Sequence, residues 1–166
     1  LAVIYFATTF GSIGGGYLSS YLIKSGWPVF KARKTSMLFF AIIVVPIISF
    51  RFISDIWVAV ALLSLAAAAH QAWSANIFTT ASDMFPKKAV SSVVGIGGMA
   101  GGIGSTIINK GSGVLFTHAG ETEMTFMGFT GKEAGYFIIF CICGVAYLIA
   151  WLFMKWLVPK MKIINE

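Results

Sequence analysis

Charged side chains are scarce in this chain. Only 11% of its 166 residues are Asp, Glu, Lys or Arg, against about 25% in an average soluble protein. Acidic residues are fewest, six against twelve Lys and Arg, and there are two histidines and two cysteines. Cys141 and Cys143 lie two positions apart in an apolar run, so on a helix they point to different sides and are expected as free thiols. No CxxC pair or metal-ligand spacing occurs, so no metal or other cofactor is expected. The membrane-length segments delimited below contain no Asp or Glu and a single histidine, His70, since His118 falls in a loop. Converging carboxylates, nucleophiles or metal ligands are therefore not on offer, and the chain is not expected to be an enzyme.

Apolar residues take the place of charge: 58% of the chain, with a mean hydropathy of +0.87. A soluble fold would leave much of that surface in large exposed patches, so the chain reads as all-α and integral to a membrane. A helix needs about 20 mostly apolar residues to cross a bilayer. Five segments approach this, at about 1–23, 36–53, 56–81, 90–116 and 134–157. The second reaches its length if Arg51 snorkels. The linkers 24–35, 51–55, 82–89 and 117–133 are polar, and the last is acidic and glycine-rich. The first residue, Leu1, stands inside an apolar run with no charged leader before it, so the segment is not a signal peptide and the chain is expected to be a fragment of a longer protein.

The net charge of +6 would suggest nucleic acid in a soluble protein. Here it has a simpler source, because membrane proteins collect Lys and Arg in cytoplasmic loops; no nucleic-acid partner is expected. Lys24, Lys31, Arg33, Lys34, Lys87, Lys88, Lys155, Lys160 and Lys162 fall on one side of the five spans, and Arg51, Lys110 and Lys132 on the other. The asymmetry implies a cytoplasmic C-terminus. Trp27, Trp57, Trp151 and Trp156 stand near predicted helix ends, as expected of an interfacial aromatic belt.

Two helices are rich in glycine. Gly11 and Gly15 form one GxxxG spacing, and Gly97 with Gly101 and Gly98 with Gly102 form two more. Small residues at this spacing let membrane helices approach closely, so all six are expected at helix contacts. Gly95 to Ala100 also match the GxGxxA dinucleotide fingerprint, but they lie inside a membrane-length helix with no acidic residue until Glu121, which excludes that reading.

The third span carries AAAAHQAWSANIFTT. Polar groups within a membrane helix are costly and generally face a bundle interior or a watery cavity. At 100° per residue His70, Gln71, Ser74 and Phe78 share one arc, while Trp73, Asn76 and Thr80 share another. One arc can line a substrate path and the other can bond to a neighbouring helix. Substrate-binding candidates are His70, Gln71, Trp73, Ser74, Asn76 and Phe78. An imidazole titrates near pH 6.5, so His70 is also a proton-coupling candidate.

GWPVFKARKTSM, an apolar helix, and then AAAAHQAWSANIFTTASDMFPKKAVSSVVGIGGMAGGIG together resemble the C-terminal half of hexuronate transporters, in the anion:cation symporter branch of the major facilitator superfamily. The resemblance implies that this chain supplies helices eight to twelve of a twelve-helix, proton-coupled importer of sugar acids such as glucuronate or galacturonate. Two halves would alternate access across the plasma (inner) membrane of a bacterium. The implied partners are an anionic sugar acid, a proton, the lipid bilayer and the N-terminal half of the same protein. By position, Ser74 and Phe78 would lie near the substrate and His70 and Gln71 at mid-depth. Ser20 and Tyr21 stand where the superfamily has an Asp-Arg pair, which departs from its charge-based latch. The alternatives are a symporter of another organic anion, such as an aldonate or dicarboxylate, and a non-transporting membrane scaffold.

Overall fold

The computed structural model describes residues 2–159. Helices α1 (Ala2–Lys24), α2 (Val29–Val44), α3 (Ile56–Met84), α4 (Lys87–Glu121) and α5 (Lys132–Leu157) account for nearly all of it. A 3₁₀ stretch, Val45–Phe52, extends α2, and a minimal hairpin of β1 (Thr125–Phe126) and β2 (Phe129–Thr130) joins α4 to α5.

Among the described residues four helices are long and apolar enough to cross a membrane: Val29–Phe52, Ile56–Met84, Lys87–Glu121 and Lys132–Leu157. The first expected span has the length, 23 residues, but its glycines, serines, threonines and tyrosines dilute its apolar content, and it is not among the four. Leu1, the start of that expected span, lies outside the described residues.

The structure moves several boundaries. α2 begins at Val29 instead of 36, so Lys31, Arg33 and Lys34 belong to its first two turns. Pro28 precedes it as the N-cap residue, in an extended conformation and with no side-chain cap. The turn at 53–55 forms as the sequence suggests, because the Asp55 side chain accepts hydrogen bonds from the Trp57 and Val58 amides and caps α3. The expected loop 117–133 is largely structured: α4 continues to Glu121, and the hairpin turns through Met127 and Gly128, both at positive φ. That is the geometry of a tight primed turn.

Helix directions alternate, as side-chain contacts at the two ends show. At one end Arg33 of α2 pairs with Asp83 of α3 at 3.1 Å and donates to Ser19 of α1 at 2.7 Å. There too Lys34 donates to the Val158 carbonyl just beyond α5 at 2.7 Å. At the other end Arg51 pairs with Glu133, and Phe52 packs on Phe129 and Phe137. The first end therefore gathers Lys24, Lys31, Arg33, Lys34, Lys87, Lys88 and Lys155, the basic side expected from the sequence; Lys160 and Lys162 lie outside the described residues. Arg33, Asp83 and Ser19 thereby tie α2, α3 and α1 together at that end.

The most extensive packing is α1 against α3, followed by α2 against α3. The apolar core gathers Val44, Ile47 and Ala69, with Phe40, Leu62, Phe140 and Tyr147 around it. α4 stands apart. It meets α5 where Phe116 and Ala119 approach Gly135, and Ile96, Met99, Ile103 and Ile107 along its length are exposed.

Candidate functional site

Helix α3 positions every side chain of the expected site, and His70 is its midpoint, equidistant from Ile56 and Met84. A 29-residue helix rises roughly 43 Å, which overspans a hydrocarbon core of about 30 Å. His70 is therefore placed near mid-depth of any bilayer that α3 crosses.

The small residues of α3 set its contact with α1. A Cβ on Gly11 would lie 2.1 Å from the Ala68 carbonyl oxygen, and one on Gly15 would lie 2.5 Å from the Ala72 Cα. Backbone touches backbone here, as the glycine spacing suggests. Gly97, Gly98, Gly101 and Gly102 differ: a Cβ on any of them meets nothing within 4 Å among the described residues. The expectation that they make helix contacts finds no partner among the described residues.

The polar residues then separate by partner. Asn76 is fully buried in the α1–α3 seam, where its Nδ2 donates to the Gly15 carbonyl and the Ala72 carbonyl, each at 2.9 Å. Its Nδ2 is thereby sealed between two helices and fastens them, and its Oδ1 is buried with no partner among the described residues. Thr80, on the same arc, is buried and returns its hydroxyl to the Asn76 carbonyl at 2.8 Å.

His70 and Trp73 both meet Tyr147 of α5. The His70 Nδ1 and the Tyr147 hydroxyl form a hydrogen bond, and the rings stand edge-on at 5.9 Å. Trp73 meets the same phenol ring at 5.4 Å. Its Nε1 is buried with no acceptor among the described residues. His70, Tyr147 and Cys143 border a groove of about 440 Å³ whose other walls are apolar, including Leu63, Ala67 and Phe140. Tyr147 is the residue that sequence reasoning missed. A hydroxyl in the middle of the apolar α5 run needs a partner in lipid, and that need was its only signal.

Gln71, Ser74 and Phe78 complete the site. Gln71 and Ser74 are half-buried and their side chains have no hydrogen bond to any described residue. Phe78 is exposed one turn beyond Ser74. An amide, a hydroxyl and an aromatic face thus form an unengaged stripe beside His70. Such a stripe can bind hydroxyls and stack on a ring. No family model, curated protein or solved structure matches the chain.

Proposed function

We propose that the chain is part of a secondary active transporter that imports hexuronates or related sugar acids together with protons by alternating access. The carrying observation is the open stripe Gln71, Ser74 and Phe78 next to mid-membrane His70. Unsatisfied amides and hydroxyls are expensive in lipid, so a helix that keeps them unengaged at mid-depth serves a polar cavity. Transporters place their substrate sites at that depth, at the interface between repeats. The sequence resemblance supplies the substrate class and the assignment of α1–α5 to helices eight to twelve of a major facilitator fold. The Lys and Arg asymmetry supports a plasma-membrane protein with this basic end in the cytoplasm.

Each group has a role in this reading. Gln71 and Ser74 bond to sugar hydroxyls, and Phe78 offers a face to the ring. His70, held by Tyr147, is the proton-coupling candidate on this side of the cavity. A pure scaffold would have engaged all of its polar groups in helix contacts. The Asn76 Nδ2 is spent on the contact with α1 and the Thr80 hydroxyl on its own helix, while the Asn76 Oδ1 is buried without a partner; Gln71 and Ser74 have no side-chain hydrogen bond among the described residues.

The test is uptake of radiolabelled glucuronate by cells expressing the whole transporter, with and without a proton gradient. Saturable uptake that collapses with the gradient and is competed by unlabelled hexuronates supports the proposal. Uptake indifferent to unlabelled hexuronates refutes the substrate class.

A further inference from the structure

At the basic end, the first turns of α2 and the last turns of α5 border an open cavity of about 680 Å³, which the proposed transport path does not use. Three lysines border it: Lys31 and Lys34 from α2 and Lys155 from α5. Each ammonium lies against an aromatic ring. Lys31 is 4.7 Å from the centre of Trp27, Lys34 is 4.2 Å from that of Phe30, and Lys155 is 5.3 Å from that of Trp151. The two helices are tied around it by the Lys34 bond to Val158 and by Trp151 Nε1 donating to the Lys34 carbonyl at 2.9 Å.

The charge in this cavity is unbalanced. Among the described residues the ion pairs are Arg33 with Asp83 and Arg51 with Glu133, so none of the three lysines faces a carboxylate. Like charges gathered around one low-polarity space repel. The first amides of α2 add to the imbalance, since Pro28 gives them no side-chain cap and a helix start carries partial positive charge. Ring faces stabilise each ammonium but leave its net charge intact.

We propose that this cavity binds the phosphodiester headgroup of an anionic phospholipid. Charge complementarity selects an anion, and the position of the cavity selects the lipid. It opens where the apolar lengths of α2 and α5 begin, among tryptophans typical of a membrane interface. Basic pockets between membrane helices are suited to such headgroups. Phe30 and Trp151 offer apolar wall for the glycerol backbone, which a free phosphate lacks. The bound lipid cross-links α2 to α5 at the end opposite the hairpin.

The experiment uses the full-length protein in a neutral detergent and follows its thermal midpoint and lipid adducts by native mass spectrometry. Phosphatidylglycerol, phosphatidylcholine and inorganic phosphate are titrated separately. The test variant is the double substitution Lys31→Gln with Lys155→Gln; both side chains are exposed, and the Lys34 to Val158 bond is left in place. The control is Lys24→Gln with Lys87→Gln, which removes equal charge from the same end. Phosphatidylglycerol is expected to raise the midpoint and form adducts in the wild type and in the control. Its binding to the test variant is expected to be about tenfold weaker or worse. Phosphatidylcholine is expected to do neither. Equal binding to wild type and test variant overturns the site. Equal loss in the control shows diffuse surface charge and also overturns it. A matching shift from inorganic phosphate overturns the lipid assignment. None of these readouts depends on transport, so the proposal stands or falls apart from the substrate reading.

Discussion

Asn76 and Gly15 join α3 to α1: the Asn76 amide donates to the Gly15 carbonyl at 2.9 Å, within the most extensive helix contact of the fold. Interhelical hydrogen bonds in membranes average about 0.6 kcal/mol, with an upper range near 1.7. Asn76→Ala is therefore expected to lower stability by roughly 1 kcal/mol and to leave the KM for substrate unchanged. Thermal unfolding in detergent and uptake kinetics measure the two. A large rise in KM without a change in stability would return Asn76 to the substrate site.

Gly11 and Gly15 are the tightest points of the same seam. Gly11→Ala and Gly15→Ala each drive a methyl into α3 backbone, and neither helix can yield without separating. Both variants are expected to lose yield and thermal stability. Gly16→Ala, on the same helix, meets nothing within 4 Å and is expected to be neutral or slightly stabilising, because alanine is the better helix former. The comparison is read by fluorescence-detected size-exclusion after heating.

The two ion pairs are predicted to differ in worth. Arg33 and Asp83 are 13% and 28% exposed, and Arg33 also reaches Ser19, so this pair links three helices. Arg51 and Glu133 are 33% and 58% exposed and lie near water. A double-mutant cycle on Arg33 and Asp83 is expected to give about 1–2 kcal/mol of coupling. The same cycle on Arg51 and Glu133 is expected to give about 0.5 kcal/mol or less, falling further with added salt.

Tyr147→Phe keeps the ring that packs on His70 and Trp73 and removes the hydroxyl bonded to His70. If His70 carries the coupled proton, this variant shifts the pH dependence of initial uptake rates, and His70→Gln abolishes the corresponding limb. Identical pH profiles in the wild type and both variants assign the proton to a different group.

Much of the fold could be read from composition and periodicity, but partners could not. Hydropathy located the helices because about 20 apolar residues are needed to cross lipid, and α3 and α5 came within a few residues of their expected bounds. It misplaced the start of α2 because Lys31, Arg33 and Lys34 look like a loop to a hydropathy window, whereas long basic side chains can leave a helix toward the interface. It missed the hairpin because only Gly128 of its turn carries a recognisable signal; Met127 at positive φ does not. Helical angle grouped Asn76 with Thr80 correctly and offered that arc to a neighbouring helix. It could not say that α1 takes Asn76, or that His70 and Trp73, drawn on different arcs, share Tyr147. Those outcomes depend on which helix lies alongside, and a single helix does not encode its neighbours.

The central claim is that the open stripe of α3 holds a sugar acid, and the concentration dependence of glucuronate uptake by Gln71→Ala and Ser74→Ala tests it most directly. On the proposed reading each change removes one hydrogen bond to the sugar acid, worth about 0.5–1.5 kcal/mol. The account predicts normally expressed, normally stable proteins with KM raised about threefold to tenfold. Wild-type KM in both variants would contradict it.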